Sequence, residues 1–276
     1  MKYHQTVLLN QVIANVDTNA KKAIDATVGT GGHTLGLLER GMNVLGIEAD
    51  PRMHRIAGQR LENYLKSGQL ELVLDNFSNL KSIAKKNAHY DLILMDLGVS
   101  NLHLTQDKRG FSFSQRNHEL DMRLDTRKQA VKASDLLNAL DKTQLTLMFS
   151  RVMNIEDSRK LASRVVVNRP FETVGDLKDV AFDLGKNNKL DSATLPMLAL
   201  RIAVNSELFN LESVLPQAYE LLEQNGKLMV ITFHSAEDKV LMNSSLPKPV
   251  IILPDQSEVR NNPSSRSAKL YVYRKI

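Results

Sequence analysis

Apolar residues recur along this chain with two periods, and the switches between them mark the elements. Val7, Leu8, Val12, Ile13 and Val16 share one helical face, which predicts a leading helix over Thr6 to Val16. Lys22 to Ala26 reads as a strand, and a helical pattern follows from Thr34 to Arg40. Asn43 to Glu48 is the second strand. Asp50-Pro51 then opens a helix to about Leu65, with Asp50 as N-cap and Pro51 at the first helical position. Leu70 to Leu74 is the third strand. Ser78 to Lys86 is helical, and Lys85 and Lys86 suit its C-terminal end. Tyr90 to Met95 is the fourth strand and ends at Asp96. Strands alternating with helices on this rhythm predict a parallel sheet with right-handed crossovers, and ligands collect at the carboxyl ends of such strands.

The rhythm then breaks. From Arg109 to Asp191 no strand is predicted, and four short helices are expected at 128–140, 142–152, 158–168 and 174–184. A helical stretch from Ala193 to Glu223, bent or divided at Pro216, is followed by Gly226 as a C-cap. Lys227 to Phe233 is the fifth strand. Val250–Leu253 and Lys269–Tyr273 are two final strands, joined by a connection of about fifteen residues, a length found in functional loops. The expected organisation is a sheet domain of residues 1–108 and 193–276 that carries an inserted helical domain, 109–192.

Composition narrows the partners. At 276 residues the chain can bury a sizeable core, and 42% hydrophobic with 24% charged residues is ordinary for a soluble globular protein. The N-terminus lacks the apolar core of a signal peptide, and no run reaches the ~18 apolar residues of a membrane span. The absence of cysteine excludes thiolate metal sites and fits a cytoplasmic setting. No metal is called for. A net charge of +5 favours a polyanionic partner. Aromatics at 5% and no Trp argue against a broad base-stacking platform of the single-strand-binding kind.

The candidate chemistry sits at the strand ends. Asp25-Ala26-Thr27-Val28-Gly29-Thr30-Gly31-Gly32-His33 joins the first strand to a helix, and such a glycine-rich turn brings backbone close to a ligand. The third glycine of the dinucleotide fingerprint would fall on Thr34, so that fingerprint is incomplete. Glu48 can accept both hydroxyls of a ribose diol, or be an acid at the start of the next helix. Phe77 can stack on an adenine or belong to the core. Asp96 can hold an amine or cap the turn to Gly98. A ligand that is both nucleoside and amino acid points to S-adenosylmethionine rather than a nicotinamide.

These residues, together with His4-Gln5-Thr6-Val7-Leu8-Leu9, Asp96-Leu97-Gly98-Val99-Ser100, Arg109-Gly110-Phe111-Ser112-Phe113, Leu120-Asp121-Met122-Arg123, Ala199 to Asn205, Phe233-His234-Ser235 with Glu237-Asp238, and Ser265 to Leu270, carry a resemblance. The chain resembles the ribosomal RNA small subunit methyltransferase H family, cytosine-N4 methyltransferases of the small-subunit (16S) ribosomal RNA. The resemblance covers nearly the whole chain. It implies an α/β, Rossmann-like class I S-adenosylmethionine-dependent methyltransferase sheet with an inserted all-helical domain. It implies that Gly31, Gly32, His33, Glu48, Phe77, Asp96 and His103 contact the cofactor, beside Gly29 of the same turn. It also implies action at the decoding centre, with small-subunit ribosomal RNA, in an assembled or late-assembly subunit, as the partner. Glu48 stands where the family usually has Asp, His103 where Gln is usual, Asn101 where Ser is, and Ala236 where Leu is. Leu195-Pro196-Met197 departs from a Thr-Phe-Gln segment.

The amine of cytosine is a poor nucleophile, so transfer needs alignment and acceptors for its hydrogens. Asp96 is the first candidate; His234 and Ser235 at the end of the fifth strand are the second. Phe111 and Phe113 are expected either to take a flipped base or to anchor the insertion. Arg109, Arg123, Arg201, Asn205, Arg266 and Lys269 are candidates for gripping RNA; the cations among them either meet phosphates or pair with acids such as Asp121, Asp125 and Glu258. The competing readings are a methyltransferase acting on DNA amines or a small molecule, and a non-catalytic RNA-binding protein that keeps the fold.

Overall fold

The computed structural model describes residues 5–84, 89–184 and 191–276. The chain separates into two units, Met1–Val99 with Phe209–Ile276, and Ser100–Leu208. The expected second boundary, 192/193, therefore falls inside the second unit, which keeps the helix that follows it.

In the first unit the chain runs α1 (Leu9–Ala14), β1 (Lys22–Asp25), α2 (Gly32–Glu39), β2 (Asn43–Glu48), α3 (Pro51–Arg60), α4 (Glu62–Lys66), β3 (Leu70–Leu74), α5 (Leu80–Ile83) and β4 (Tyr90–Asp96). The second unit holds α6 (Asn101–Gln106), α7 (Ala133–Ala139), α8 (Lys142–Phe149), α9 (Ile155–Val167), α10 (Val174–Val180) and α11 (Thr194–Asn205). The chain then continues through α12 (Glu207–Leu221), β5 (Leu222–Thr232), α13 (Ser235–Asn243), β6 (Val250–Ile252), α14 (Gln256–Asn261) and β7 (Lys269–Arg274).

The sheet order is β3-β2-β1-β4-β5-β7-β6. The first five strands are parallel, so their carboxyl ends share one rim. β7 is antiparallel to β5 and to β6, a direction on which the strand pattern was silent. Strand alternation divides the core between two faces. Ile93, Met95, Leu228 and Val230 pack with Leu211, Val214 and Leu215 of α12, while Leu92, Leu94, Met229 and Ile231 pack with Leu8, Val12 and Leu37. Both faces are covered, which is why these strands read as continuous apolar runs.

Local signals explain several boundaries. Asp50 accepts the N–H groups of Arg52 at 2.6 Å and Met53 at 3.3 Å, with Pro51 at the start of α3, as expected. Four expectations need correction. The helix after Ala193 is divided at Ser206, whose φ of 51° ends α11, and α12 runs through Pro216. Gly226 is not a helix C-cap but lies inside β5, at a register shift opposite Tyr90. A Cβ there would sit 2.9 Å from the Glu223 carbonyl and 3.0 Å from that of Tyr90, so close backbone approach selects glycine. The segment from Phe77 is a short 3-10 turn followed by α5; Lys85 and Lys86 lie outside the described residues, as does His4. The connection before β7 carries α14 and a second 3-10 turn at Pro263–Ser267.

Candidate active site

The turn after β1 places three glycines under different constraints. Gly31 has φ 83°, and a Cβ there would lie 2.8 Å from Leu61. At Gly32, the first residue of α2, a Cβ would fall 2.0 Å from the Thr6 hydroxyl. Gly29 donates its N–H to Glu48 Oε2 at 2.7 Å, and Asp50 donates its own to Oε1 at 2.8 Å. Glu48 thus ties the end of β2 to the turn after β1. Burial pushes its carboxyl up to about 8, against the N–H groups of Asp50 and Gly29, which favour the charged form. Each oxygen keeps a second lone pair.

Asp25 is fully buried beneath the turn. It accepts the Thr34 hydroxyl at 2.6 Å and the Thr27 N–H at 3.1 Å. Burial raises its pKa, opposed by the charge of His33 and by these two hydrogen bonds. The Thr27 hydroxyl in turn accepts the backbone N–H of Asp96 at 2.6 Å, which joins the ends of β1 and β4. His33 is 4% exposed. Its Nε2 lies 3.0 Å from the Val7 carbonyl and its Nδ1 3.5 Å from Asp96 Oδ2. Both ring nitrogens are thus engaged within the chain, so a cofactor contact from His33 would come from its backbone or ring face. Asp96 Oδ1 is shielded from solvent and accepts no hydrogen bond from the described residues, whereas the side chain as a whole is 25% exposed. Beyond β3, Phe77 is half-buried, opens its 3-10 turn and packs on the core.

At the end of β5, His234 caps α13 and Ser235 is that helix's first residue. His234 Nδ1 accepts the Glu237 N–H at 3.4 Å, while Glu237 Oε2 accepts the N–H of Phe233 at 2.8 Å. Asp238 accepts the Thr232 hydroxyl at 2.7 Å and the Tyr271 hydroxyl at 3.0 Å, and pairs with Lys269 at 2.5 Å. Lys269 is therefore a partner of Asp238, half-exposed at the start of β7. Arg266 is exposed.

In the second unit, the alternative in which arginines pair with acids takes one recurring form. Asp107, Asp121 and Asp125 each stand two residues before an arginine and hold it identically. One oxygen takes the backbone N–H and Nε, and the other takes Nη2. Arg109 also donates Nη1 to the carbonyls of Arg123 and Leu124, and Arg123 donates Nη1 to that of Gln129. The threefold Asp-x-Arg spacing was visible in the sequence; only the structure shows that it closes into clasps. Phe111 is buried against His103, with ring centroids 5.0 Å apart, and lies under the Arg109 guanidinium. Phe113 is half-buried, with Lys178 5.3 Å above its ring. Arg201 makes a bidentate pair with Glu207 at 2.8 and 3.0 Å. Asn205 is buried and bridges the Leu124 N–H, the Met122 carbonyl and Gln129. The geometry around Arg109, Phe111, Arg123, Arg201 and Asn205 is thus that of internal fastening.

Comparison with known proteins follows the same outline. The profile of the MraW methylase family matches residues 1–248. A ribosomal RNA small subunit methyltransferase H from Dehalococcoides mccartyi is 34% identical over 306 residues, covering 99% of this chain and 86% of that protein. The protein of that name from Methylacidiphilum infernorum is 35% identical over 302 residues, with 99% and 94% covered. Another, from Dictyoglomus thermophilum, is 36% identical over 286 residues, with 98% and 95% covered.

Proposed function

Since the chain belongs to the MraW methylase family, we propose that it transfers a methyl group from S-adenosylmethionine to the N4 amine of a cytosine in small-subunit ribosomal RNA. The observation that carries the reading is the rim at the carboxyl ends of β1, β2 and β4. There the glycine turn, Glu48 and Asp96 are joined by hydrogen bonds, and the Asp96 side chain stays a quarter exposed beside the buried His33. S-adenosylmethionine fits that chemistry because it brings hydroxyls and an ammonium as donors and a positive sulfonium toward acidic side chains. When bound, it supplies an electrophilic methyl group, whose departure leaves a neutral thioether.

The chain's own residues do the holding. Glu48 would offer its spare lone pairs to the ribose, with the Gly29 to Gly32 backbone beside it. Phe77 would hold the adenine. Asp96 accepts a hydrogen of the amine and so opposes delocalisation of its lone pair. A strong general base is not needed, since the proton leaves after transfer. His234 and Ser235 stand on the same rim as second acceptors. Arg266 is the cation of the sheet unit assigned to RNA phosphate, and Lys269 holds Asp238. Arg109, Phe111, Phe113, Arg123, Arg201 and Asn205 shape the RNA-facing segments through their internal bonds.

The substrate is small-subunit RNA within an assembled or nearly assembled particle, where the decoding centre is formed. Among the described residues no helix is long and apolar enough to cross a membrane. The test is the methylation state of small-subunit RNA in cells with and without the gene, followed by transfer of labelled methyl to purified particles, naked RNA and DNA. Loss of one N4-methylated cytosine in the deletion, restored by the purified protein on particles, is expected. Equal labelling of DNA, or no cytosine lost, overturns the reading.

A further inference from the structure

Asp25 and His33 are buried titratable groups that the transfer reaction does not touch directly. Nevertheless, they lie directly behind the carboxylate that does. His33 is flanked by two acceptors, the Val7 carbonyl at Nε2 and Asp96 Oδ2 at Nδ1. A carbonyl only accepts, so Nε2 carries a hydrogen. An ionised carboxylate also only accepts, so Nδ1 carries one as well. Both contacts are met at once only by the imidazolium. The groups facing it are Asp25 from β1, Asp96 from β4 and the Val7 carbonyl from the segment before α1. Burial alone would pull the His33 pKa down. The hydrogen bond and charge of Asp96, the charge of Asp25 and the Val7 carbonyl outweigh it and leave the pKa raised.

Asp96 is fixed from a second side. Its backbone N–H is held by Thr27, and Thr27 is held by Asp25. Oδ1 is shielded from solvent, so the open oxygen of the carboxylate is Oδ2, which faces His33 and keeps a second lone pair. We infer that His33 is a positioning residue acting through Asp96: its imidazolium, anchored on Val7 and balanced by Asp25, fixes the carboxylate so that the second lone pair of Oδ2, the oxygen open to solvent, is presented to an N–H donor of the ligand. That donor is the amine of the methyl acceptor or the ammonium of the cofactor, and the inference rests on the function proposed above.

The test begins on the unliganded protein. Imidazole resonances of the seven histidines are followed by NMR against pH, with His33→Gln used to assign one of them. His33 should titrate above the ordinary ~6.5, and Asp96→Asn should lower its midpoint. Asp25→Asn should lower it too. Because Asp25 is buried and that variant risks misfolding, Asp96→Asn carries the decision. A midpoint at or below the ordinary value, or one unmoved by Asp96→Asn, overturns the inference.

The second readout is His33→Gln. If the acceptor amine is the donor, single-turnover transfer falls about tenfold or more while the Kd of S-adenosylhomocysteine holds within twofold. If the cofactor ammonium is the donor, that Kd weakens about tenfold instead. In either case the wild type loses the affected parameter as pH rises through the His33 midpoint, and the variant lacks that limb. Neither parameter changing overturns the inference. Failure of the wild type to bind S-adenosylhomocysteine would instead overturn the proposed function, which keeps the two failures apart.

Discussion

Replacing Arg123 by Gln separates a fastening arginine from a phosphate-binding one. The Arg123 guanidinium donates Nε to Asp121 Oδ1 at 2.6 Å, Nη2 to Oδ2 at 2.8 Å and Nη1 to the Gln129 carbonyl at 2.9 Å. The side chains of Arg123 and Asp121 are only 14% and 6% exposed. Burial alone would push the Asp121 carboxyl up, and the Arg123 hydrogen bonds and charge pull it below the usual range. Removing one member of a buried pair costs about 3–5 kcal/mol, because the other charge is left without its partner. Gln still reaches one acceptor, so the lower end, about 3 kcal/mol, is expected. At roughly 2–4 °C per kcal/mol for a chain of this size, the Tm should fall by about 6–12 °C.

The loss should depend on pH in a definite direction. Asp121 has a depressed folded pKa, so its stabilisation is present above the unfolded value and lost as pH falls through the folded one. The gap between wild type and Arg123→Gln should therefore narrow on acidification. Urea unfolding across the acid range measures it, with the affinity for small-subunit RNA followed against salt in parallel. A loss below about 0.5 kcal/mol, the level of a surface pair, together with a flatter salt slope would refute the clasp and make Arg123 a phosphate contact.

Glu48→Gln should change the pH dependence of stability. The wild-type carboxyl has a folded pKa of about 8 against an ordinary 4.5, so its contribution is present below the ordinary value and lost as pH rises through 8. The variant's stability, whatever its offset, should lack that decline; parallel curves would show that Glu48 is not perturbed. Above about pH 8, where the wild-type carboxyl is ionised, the same variant should bind S-adenosylhomocysteine roughly ten- to a hundred-fold more weakly, as expected for a lost charged hydrogen bond of ~1.5–3 kcal/mol, and unchanged calorimetry would reduce Glu48 to a helix-start acid. Gly32→Ala should destabilise the turn through its 2.0 Å clash with the Thr6 hydroxyl, and Thr6→Ala should recover part of the Tm; no recovery would place the strain elsewhere. Arg266→Gln should leave thermal stability within about 0.5 kcal/mol, yet lower the salt slope of RNA binding by about one contact. A lowered Tm with an unchanged slope would make Arg266 structural.

Much of this was legible in the residue order. Strand-forming runs ended at Glu48, Leu74 and Asp96 as expected, because runs buried on both faces are long, apolar and bounded by polar residues. The cap of α3 was equally plain, since Asp50-Pro51 acts through residues two and three positions away. The glycine turn and the rim acids could be placed because parallel strands bring their carboxyl ends to one edge. Other outcomes depended on partners far away in sequence. Gly226 was chosen by the carbonyl of Tyr90 across the sheet, and the place of β7 was set by its pairing with both β5 and β6. Whether Arg109, Arg123 and Arg201 meet phosphates or pair with acids stayed open in the sequence, because charge can be counted along it, whereas the lone pairs that consume it cannot. His33 shows the same division. Its place after the glycines is local, but its charge is decided by Val7, Asp25 and Asp96, which only the folded chain brings to both ring nitrogens.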